Sequence, residues 1–205
     1  MAQTASTLRG HERILDYGCG SMPYRPLFEE RGITYVGADL AGPPGATLVL
    51  NAYGSIPIAP ESFDLVISSQ VLEHATDPSF YLAEARRVLR PSGTLVLSTH
   101  GYWRYHPHPD DYWRWTASGL KRTLITNGFE IDSFQGIMGP LAAATQLWQD
   151  AMITIVPRPL RRLFTGLVQT LIVAGEALLG NEKSGEDACV YFVVARKRQS
   201  IVDGA

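Results

Sequence analysis

Residues 14–28 read ILDYGCGSMPYRPLF, and this stretch decides the class of fold. An apolar run ends in Asp16, and two glycines follow it, Gly18 and Gly20. A buried strand that leads into a glycine turn is typical of α/β proteins that bind a nucleotide or another adenosine-bearing ligand. The stretch therefore predicts a ligand site at the end of a first strand.

The turn does not match the patterns that bind phosphate. The third glycine of the dinucleotide pattern falls on Pro23, and no Gly-Lys-Ser/Thr follows. Asp16 would repel a pyrophosphate, but it suits a ligand with an ammonium and a sulfonium group. Asp39, at the end of a second predicted strand, can accept hydrogen bonds from two ribose hydroxyls. Together these features point to S-adenosylmethionine.

Apolar or β-branched runs alternate with helical patterns along the chain. The runs predicted as strands cover residues 13–17, 33–38, 47–50, 63–68, 93–99, 129–134 and 188–195. The first five are continuous rather than alternating, as expected for a sheet covered by helices on both faces. We predict a single α/β domain over residues 1–205 with a mostly parallel sheet, interrupted at 139–180 by a helical hairpin.

The composition limits the class of protein. The 205 residues carry a formal net charge of −2, which gives no electrostatic argument for nucleic-acid binding. The two cysteines, Cys19 and Cys189, are too few for a disulfide framework, and the N-terminus lacks the apolar core of a secretory signal. We predict a cytoplasmic protein without a transmembrane helix.

Four segments, in this order and spacing, carry a family resemblance: ILDYGCGSMPYRPLF, VGADL, SFDLVISSQVLEHATDP and LAEARRVLRPSGTLVLSTHG. The chain resembles the class I S-adenosylmethionine-dependent methyltransferases, in particular the type 11 group of small-molecule methyltransferases. The resemblance covers about residues 14–134, with 189–195 as a final strand. It implies a Rossmann-like, seven-stranded sheet with an antiparallel last strand, S-adenosylmethionine as cofactor and a small-molecule methyl acceptor.

The resemblance also assigns a cofactor site. Asp16 and the two glycines would hold the methionine end, Asp39 the ribose, and Leu40 would lie beside the adenine. Met22 stands where the family has a third glycine. Asn51 replaces the family's usual acid, although its amide oxygen can accept from an adenine amine. The predicted cofactor-binding residues are Asp16, Tyr17, Gly18, Cys19, Gly20, Asp39, Leu40, Asn51, Ala52 and Ser69.

Candidate catalytic groups are concentrated in residues 100–115, HGYWRYHPHPDDYWRW. The stretch leaves the carboxyl end of the fifth predicted strand, where ligands bind in open parallel sheets. A histidine can remove a hydroxyl proton at neutral pH, and a carboxylate can orient it or take the proton itself. His100 is the first choice for the base because it ends the strand. The predicted catalytic residues are His100, His106, His108, Asp110 and Asp111.

Part of that stretch, His106-x-His108-x-Asp110-Asp111, is similar to the H-x-H-x-D-H zinc motif of the metallo-β-lactamase group. Asp111 stands in place of the third histidine, and no histidine follows His108, so the downstream ligands of that group are missing. We therefore predict no metal at this motif.

Glu73-His74, after the fourth predicted strand, is a second pair that could do acid–base work. The resemblance places it in a helical turn that supports the cofactor pocket. We predict a structural role for both residues.

The overall prediction is methyl transfer to a small molecule, with O-methylation of a sugar, lipid-linked or secondary-metabolite acceptor preferred. Two alternatives stay open: a catalytically inactive cofactor-binding partner or regulatory protein, and a zinc-dependent hydrolase. The apolar stripes of residues 139–180 predict packing on the sheet, on each other or in a homodimer. Three arginines at the beginning of the second stripe, Arg158, Arg161 and Arg162, also suit a peripheral membrane contact or a lipid-linked substrate.

Overall fold

The computed structural model describes residues 12–40, 46–179 and 185–199. Its seven strands form one sheet in the order β3-β2-β1-β4-β5-β7-β6. They are β1 (Arg13–Tyr17), β2 (Thr34–Asp39), β3 (Leu48–Val49), β4 (Phe63–Ser69), β5 (Leu89–His100), β6 (Phe129–Ile137) and β7 (Val190–Lys197). The pairs among β1 to β5 are parallel, whereas β7 is antiparallel to both β5 and β6. The predicted fold class is confirmed.

Five α-helices accompany the strands in the described residues: α1 (Arg25–Glu29), α2 (Pro78–Val88), α3 (Ala117–Thr126), α4 (Pro140–Met152) and α5 (Arg161–Leu179). Helix α2 is capped at its N-terminus by Asp77, whose carboxylate accepts hydrogen bonds from the backbone N–H groups of Ser79 and Phe80. A short 3-10 helix, Leu72–His74, follows β4 and is the predicted helical turn.

The central strands are covered on both faces, which explains their continuous apolar pattern. On one face, Leu15 of β1 belongs to a core cluster that includes residues of α2 and α3. On the other, Ile14 packs in a cluster with Phe28 of α1. Strand order reverses between β1 and β4, and such a reversal opens a crevice at the carboxyl ends of the strands.

Helices α4 and α5 form the predicted hairpin, whose last predicted residue, at position 180, lies outside the described residues. They pack on each other through Ala142, Val168 and Ile172. Much of the predicted inward stripe is instead exposed, including Trp148 and Leu167. No helix within the described residues combines the length and the apolar character needed to cross a lipid bilayer.

Candidate functional site

The glycine turn after β1 is fastened to the neighbouring strand. The backbone N–H groups of Gly18 and Cys19 donate to the Ala38 carbonyl at 2.8 and 3.1 Å. Gly18 and Gly20 have φ values of +81° and +47°. A Cβ at Gly18 would lie 2.5 Å from Cγ2 of Val71, whereas one at Gly20 would project into open space. Glycine is therefore required at the first position by packing, and at the second it leaves room for a ligand.

Met22 takes over the backbone role of the missing glycine. Its φ is +55°, in the left-handed region that glycine enters most easily. The side chain is buried and packs over β2, because a Cβ added to Gly37 would lie 2.7 Å from the Met22 sulfur. The methionine thus fills the core beneath the turn and does not narrow the groove above it.

Asp16 is a buried carboxylate, only 2% exposed, that accepts a hydrogen bond from the Tyr35 hydroxyl. Burial raises its pKa to about 6, the Tyr35 hydrogen bond opposes the rise, and the nearby charge of Asp39 adds to it. An anion held in this environment is stabilised by a cationic ligand group.

Asp39 is fixed by two backbone amides. One of its oxygens accepts from the N–H of Gly20 at 2.8 Å, and the other accepts from the N–H of Leu40 at 2.7 Å. Each carboxylate oxygen has a further lone pair with which to accept from a hydroxyl. The contact with Gly20 also joins the glycine turn to the end of β2.

An open groove of about 360 Å³ lies between the ends of β1 and β4. Ser69 forms its far wall, where its hydroxyl lies 3.0 Å from that of Tyr24. The lining residues are Asp16, Gly18, Cys19, Gly20, Ser21, Pro23, Tyr24, Ser69 and Gln70. The groove therefore brings together five of the predicted cofactor-binding residues: Asp16, Gly18, Cys19, Gly20 and Ser69.

A second group of polar side chains lies at the carboxyl ends of β4 and β5. His100 ends β5 and is buried, with Nδ1 2.9 Å from Oε1 of the fully buried Glu73. The Thr99 hydroxyl donates to the other Glu73 oxygen at 2.8 Å. Burial alone would raise the pKa of Glu73, but the interactions with His100 and Thr99 outweigh burial and lower the pKa. Glu73 is therefore ionised at neutral pH.

His106 joins this pair from the loop after β5. Its ring centroid lies 4.7 Å from that of His100 and 5.1 Å from that of His74. Burial and the neighbouring His100 lower the pKa of His106, so the imidazole is neutral at neutral pH and can accept a proton. We call His74, His100, His106 and Glu73 the histidine cluster.

The loop that carries His106 is held in place by backbone hydrogen bonds. The backbone N–H groups of Tyr112 and Trp113 donate to the Glu73 backbone carbonyl at 2.9 and 3.1 Å. The backbone N–H of Trp115 donates to the His100 backbone carbonyl at 3.0 Å. These contacts hold the loop over the 3-10 helix and the end of β5.

Sequence comparison identifies the class of domain. Residues 15–97 match the family described as a methyltransferase domain. A curated relative, a ubiquinone biosynthesis O-methyltransferase from Cereibacter sphaeroides strain ATCC 17025, is 35% identical over 100 residues. The match spans 42% of this chain and 40% of that protein, so the chain covers well under half the length of this relative.

The fold agrees with the sequence match. An S-adenosylmethionine-dependent methyltransferase from Mesorhizobium loti superposes with a TM-score of 0.60 at 20% identity, over 95% of each chain. The fold is that of the class I S-adenosylmethionine-dependent methyltransferases, and residues 15–97 match a methyltransferase domain in sequence. The [4+2]-cyclase SpnF has the same fold, with a TM-score of 0.61 at 19% identity over 97% of this chain and 81% of its own. The fold of this methyltransferase domain therefore does not fix the reaction.

Tyr17 is a predicted cofactor residue whose side chain lies elsewhere. It is fully buried and stacks on Tyr81 with ring centroids 4.0 Å apart. Its hydroxyl donates to the Gly54 carbonyl at 2.5 Å. Tyr17 thus supports the methyltransferase core beneath the groove rather than lining the groove.

Asn51 does not offer the free oxygen that the sequence analysis assigns to it. Its Oδ1 accepts from the backbone N–H groups of Tyr53 and Ser55 at 3.0 and 2.9 Å. Both lone pairs of the amide oxygen are therefore used in the turn that also contains Ala52. Leu40, next to Asp39, is 41% exposed, so its side chain is accessible for an apolar contact with the adenine ring.

Asp111 braces the loop rather than serving as a free base. Arg114 donates to both of its oxygens at 2.6 Å, and the backbone N–H of His106 donates at 2.8 Å. The Arg114 hydrogen bonds hold the pKa of the Asp111 carboxyl well below its usual range. His108 and Asp110 are exposed, and the Asp110 carbonyl lies 2.5 Å from Nδ1 of His74.

Sequence reasoning undervalued Glu73, which contacts His100 although the two are far apart in sequence. The available signal was topological, because an acid directly after β4 and a histidine that ends β5 lie on adjacent parallel strands. Tyr24 and Gln70 also line the groove, and each lies within a motif quoted for the family resemblance, Tyr24 in residues 14–28 and Gln70 directly after Ser69.

Proposed function

We propose that this domain binds S-adenosylmethionine in the groove between β1 and β4 and transfers its methyl group to a hydroxyl oxygen of a small molecule. The observation that carries the proposal is the pairing, at one edge of the sheet, of an acidic glycine turn with the histidine cluster. The carboxylates of Asp16 and Asp39, beside the turn, suit the cofactor. The neutral imidazole of His106, in the cluster, can take a proton from the acceptor hydroxyl.

The groove residues fit the cofactor by charge and by space. When bound, S-adenosylmethionine supplies a methyl group activated on a positively charged sulfur. The Asp16 carboxylate can stabilise the cationic end of the ligand, and Asp39 can accept hydrogen bonds from ribose hydroxyls. The open space at Gly20 lets the backbone approach the ligand closely. A ligand held by these residues would lie at the carboxyl ends of β1 and β4.

The histidine cluster supports oxygen as the accepting atom. In methyl transfer to an alcohol, the oxygen–carbon bond forms as the sulfur–carbon bond breaks, and the hydroxyl proton passes to a base. A neutral His106, partly exposed on the loop, can take that proton. Most of the catalysis would come from holding acceptor and methyl group in line. The relative from Cereibacter sphaeroides is also named as an O-methyltransferase.

Exposed aromatic side chains on the loop support an acceptor with a ring or a sugar face. Tyr102, Tyr105, Tyr112 and Trp113 are between 38% and 74% exposed. Such rings bind flat apolar faces well. We therefore keep a sugar, lipid-linked or secondary-metabolite acceptor as the proposed class. The cytoplasmic location stays a prediction.

The direct test incubates the purified chain with isotopically methyl-labelled S-adenosylmethionine and a panel of phenols, sugars and lipid-linked alcohols. We expect label transfer to a hydroxyl compound and release of S-adenosylhomocysteine. His106→Ala should lower turnover while leaving cofactor binding intact. Cofactor binding without transfer to any hydroxyl, amine or thiol would instead support the inactive cofactor-binding alternative.

A further inference from the structure

The histidine cluster contains three potential metal-ligand atoms that lie close together. One nitrogen of His100, one nitrogen of His106 and one carboxylate oxygen of Glu73 lie within 4.8 Å of one another. Glu73 and His100 are buried, and His106 is partly buried. Within the described part of the chain, this is the one group of at least three His, Cys, Asp or Glu side chains close enough to hold a metal ion.

The same three side chains carry unsatisfied polar atoms. Oε1 of Glu73, Nδ1 of His100 and Nδ1 of His106 are buried and have no well-aligned hydrogen-bond partner. The Glu73 and His100 atoms lie 2.9 Å apart, yet the ring N–H direction does not satisfy a hydrogen bond. Buried polar atoms are nearly always paired, so three such atoms in one cluster call for a common partner.

Charge points to a cation as that partner. The Glu73 carboxylate is fully buried, and its side-chain contacts are with Thr99 and His100, neither of which has a permanent charge. Arg114 also attracts the Glu73 charge, but its guanidinium is hydrogen-bonded to Asp111. A buried carboxylate is costly unless a positive charge or a metal compensates it. A divalent ion would satisfy all three orphaned atoms and neutralise Glu73.

The donor set matches a transition metal rather than magnesium or calcium. Two imidazoles and one carboxylate suit zinc, iron or a similar ion, whereas magnesium and calcium take oxygen ligands. Tetrahedral zinc with bonds of about 2.0–2.1 Å sets its ligand atoms about 3.3 Å apart. The 2.9 Å between Glu73 and His100 needs only a small adjustment to reach that spacing.

Neighbouring residues orient the proposed ligands. Thr99 fixes the Glu73 carboxylate through its second oxygen, and Trp103 stacks on the His100 ring at 5.0 Å with an interplanar angle of 1°. An oxygen of Asp111 lies 3.4 Å from Nδ1 of His106, and the backbone N–H of His106 donates to the same carboxylate at 2.8 Å. Hydrogen-bonded supports of this kind are usual around metal ligands.

We propose that Glu73, His100 and His106 bind a divalent transition-metal ion, with zinc as the reference ion. Three protein ligands leave a coordination position open, which is the arrangement of catalytic rather than structural zinc sites. An acceptor hydroxyl at that position would have its pKa lowered by the ion, in place of proton removal by a free imidazole. This role rests on the proposed function, whereas the binding of the ion does not.

The proposed site differs from the zinc-like motif at residues 106–111, His106-x-His108-x-Asp110-Asp111. Only His106 is common to the two sets, since His108 and Asp110 are exposed and Asp111 binds Arg114. Glu73, which the sequence analysis assigns a structural role, supplies the carboxylate.

The experiment is a calorimetric titration of the chelator-treated full chain with zinc chloride, alongside elemental analysis of the protein as purified. We expect one zinc per chain. His106→Ala should weaken zinc binding by about 100-fold or more, and Thr99→Val by about tenfold. His108→Ala, the matched control on the same loop, should leave the affinity within about twofold of the original chain.

Far-UV circular dichroism and thermal unfolding report whether each variant folds. No stoichiometric zinc binding by the folded chain would overturn the proposal, as would equal losses in His106→Ala and His108→Ala. Zinc binding without S-adenosylmethionine binding would support the site and refute the proposed function. Cofactor binding without zinc binding would refute this inference alone.

Discussion

At the scale of single residues, the buried carboxylate of Asp16 lowers the stability of the ligand-free chain. Its carboxyl has a pKa of about 6 in the folded chain instead of 3.8, mainly because of burial. Between these pH values the folded state binds more protons than the unfolded state, so stability falls as pH rises from about 4 to about 6. Above about pH 6 the Asp16 carboxyl is ionised in both states, and the loss of stability has reached its full size. Such a cost is common where a ligand later compensates it.

Asp16→Asn should therefore stabilise the ligand-free chain. We expect a gain of about 1–3 kcal/mol in the free energy of unfolding at pH 7.5, which disappears near pH 4. Urea unfolding at the two pH values measures the gain. Asp39→Asn is the comparison, because Asp39 accepts two backbone hydrogen bonds and its replacement should bring no gain. Equal stability of Asp16→Asn and the original chain at pH 7.5 would contradict this account.

The same carboxyl should make cofactor binding depend on pH. If the charged form of Asp16 binds the ligand, affinity for S-adenosylmethionine should be about tenfold weaker at pH 5 than at pH 7.5. Calorimetric titrations across this range test the dependence. An affinity that stays constant down to pH 5 would show that the Asp16 charge does not contribute.

Met22 has two features that a substitution can test: a left-handed backbone conformation and a side chain buried beneath the turn. Met22→Gly relieves a left-handed φ but removes a buried side chain, and the second effect is larger. We expect the chain to lose about 1–3 kcal/mol of stability and to keep its cofactor affinity within about threefold. Thermal unfolding and calorimetry measure the two effects. A large gain in affinity would mean that Met22 does narrow the groove.

Local sequence predicted which residues meet at the glycine turn, whereas their role in cofactor binding stays a prediction. Asp16, Gly18 and Gly20 follow directly from the strand and the turn, and the structure places all three in the groove. Prediction from local sequence failed for Asn51, whose oxygen is taken up by a turn that the pattern did not reveal. The contact of Glu73 with His100 was not predicted either, because it depends on which strands become neighbours.

At the scale of elements, the hairpin of α4 and α5 has polar as well as apolar side chains between its helices. Gln169 donates to Gln146 and Gln149 between the helices, at 2.9 and 3.1 Å. Leu163 and Leu171 face outward and are 63% and 67% exposed. Apolar periodicity predicted the two helices but not the buried face, because spacing alone does not reveal what each face contacts.

An outward apolar face beside a basic end is typical of helices that lie on anionic membranes. The partner predictions for residues 139–180 stay predictions, and we favour the membrane over a homodimer because Arg158 and Arg162 are exposed next to the leucines. The chain should bind vesicles that contain anionic lipid, and changing Leu163, Leu167 and Leu171 to serine should reduce the bound fraction at least about tenfold. Co-sedimentation measures binding.

Thr170→Ser, on the same exposed part of α5, is the control and should bind vesicles like the original chain. Absence of vesicle binding would contradict the membrane prediction. So would a stable dimer that the triple serine variant converts to a monomer, since the leucines would then form a protein interface.

At the scale of the whole molecule, strand order creates the site. The reversal between β1 and β4 opens the groove, and the neighbouring end of β5 brings in the histidine cluster. Alternating strands and helices predicted the parallel sheet, and the family resemblance supplied the antiparallel β7. The loop over 100–115 was placed at the correct edge, but its internal contacts, such as Arg114 with Asp111, could not be read from spacing. The single domain over residues 1–205 stays a prediction.

The central claim is that the turn within residues 14–28 binds S-adenosylmethionine. A calorimetric titration of the purified chain, with Gly20→Val as the matched variant, tests it most directly. The account predicts one site per chain and a loss of binding in Gly20→Val, because the new side chain would project into the open space of the groove. At a ligand concentration of about 100 times Kd, binding should add about 2.7 kcal/mol to the stability of the original chain. No binding by the folded original chain, or equal binding by Gly20→Val, would contradict the claim.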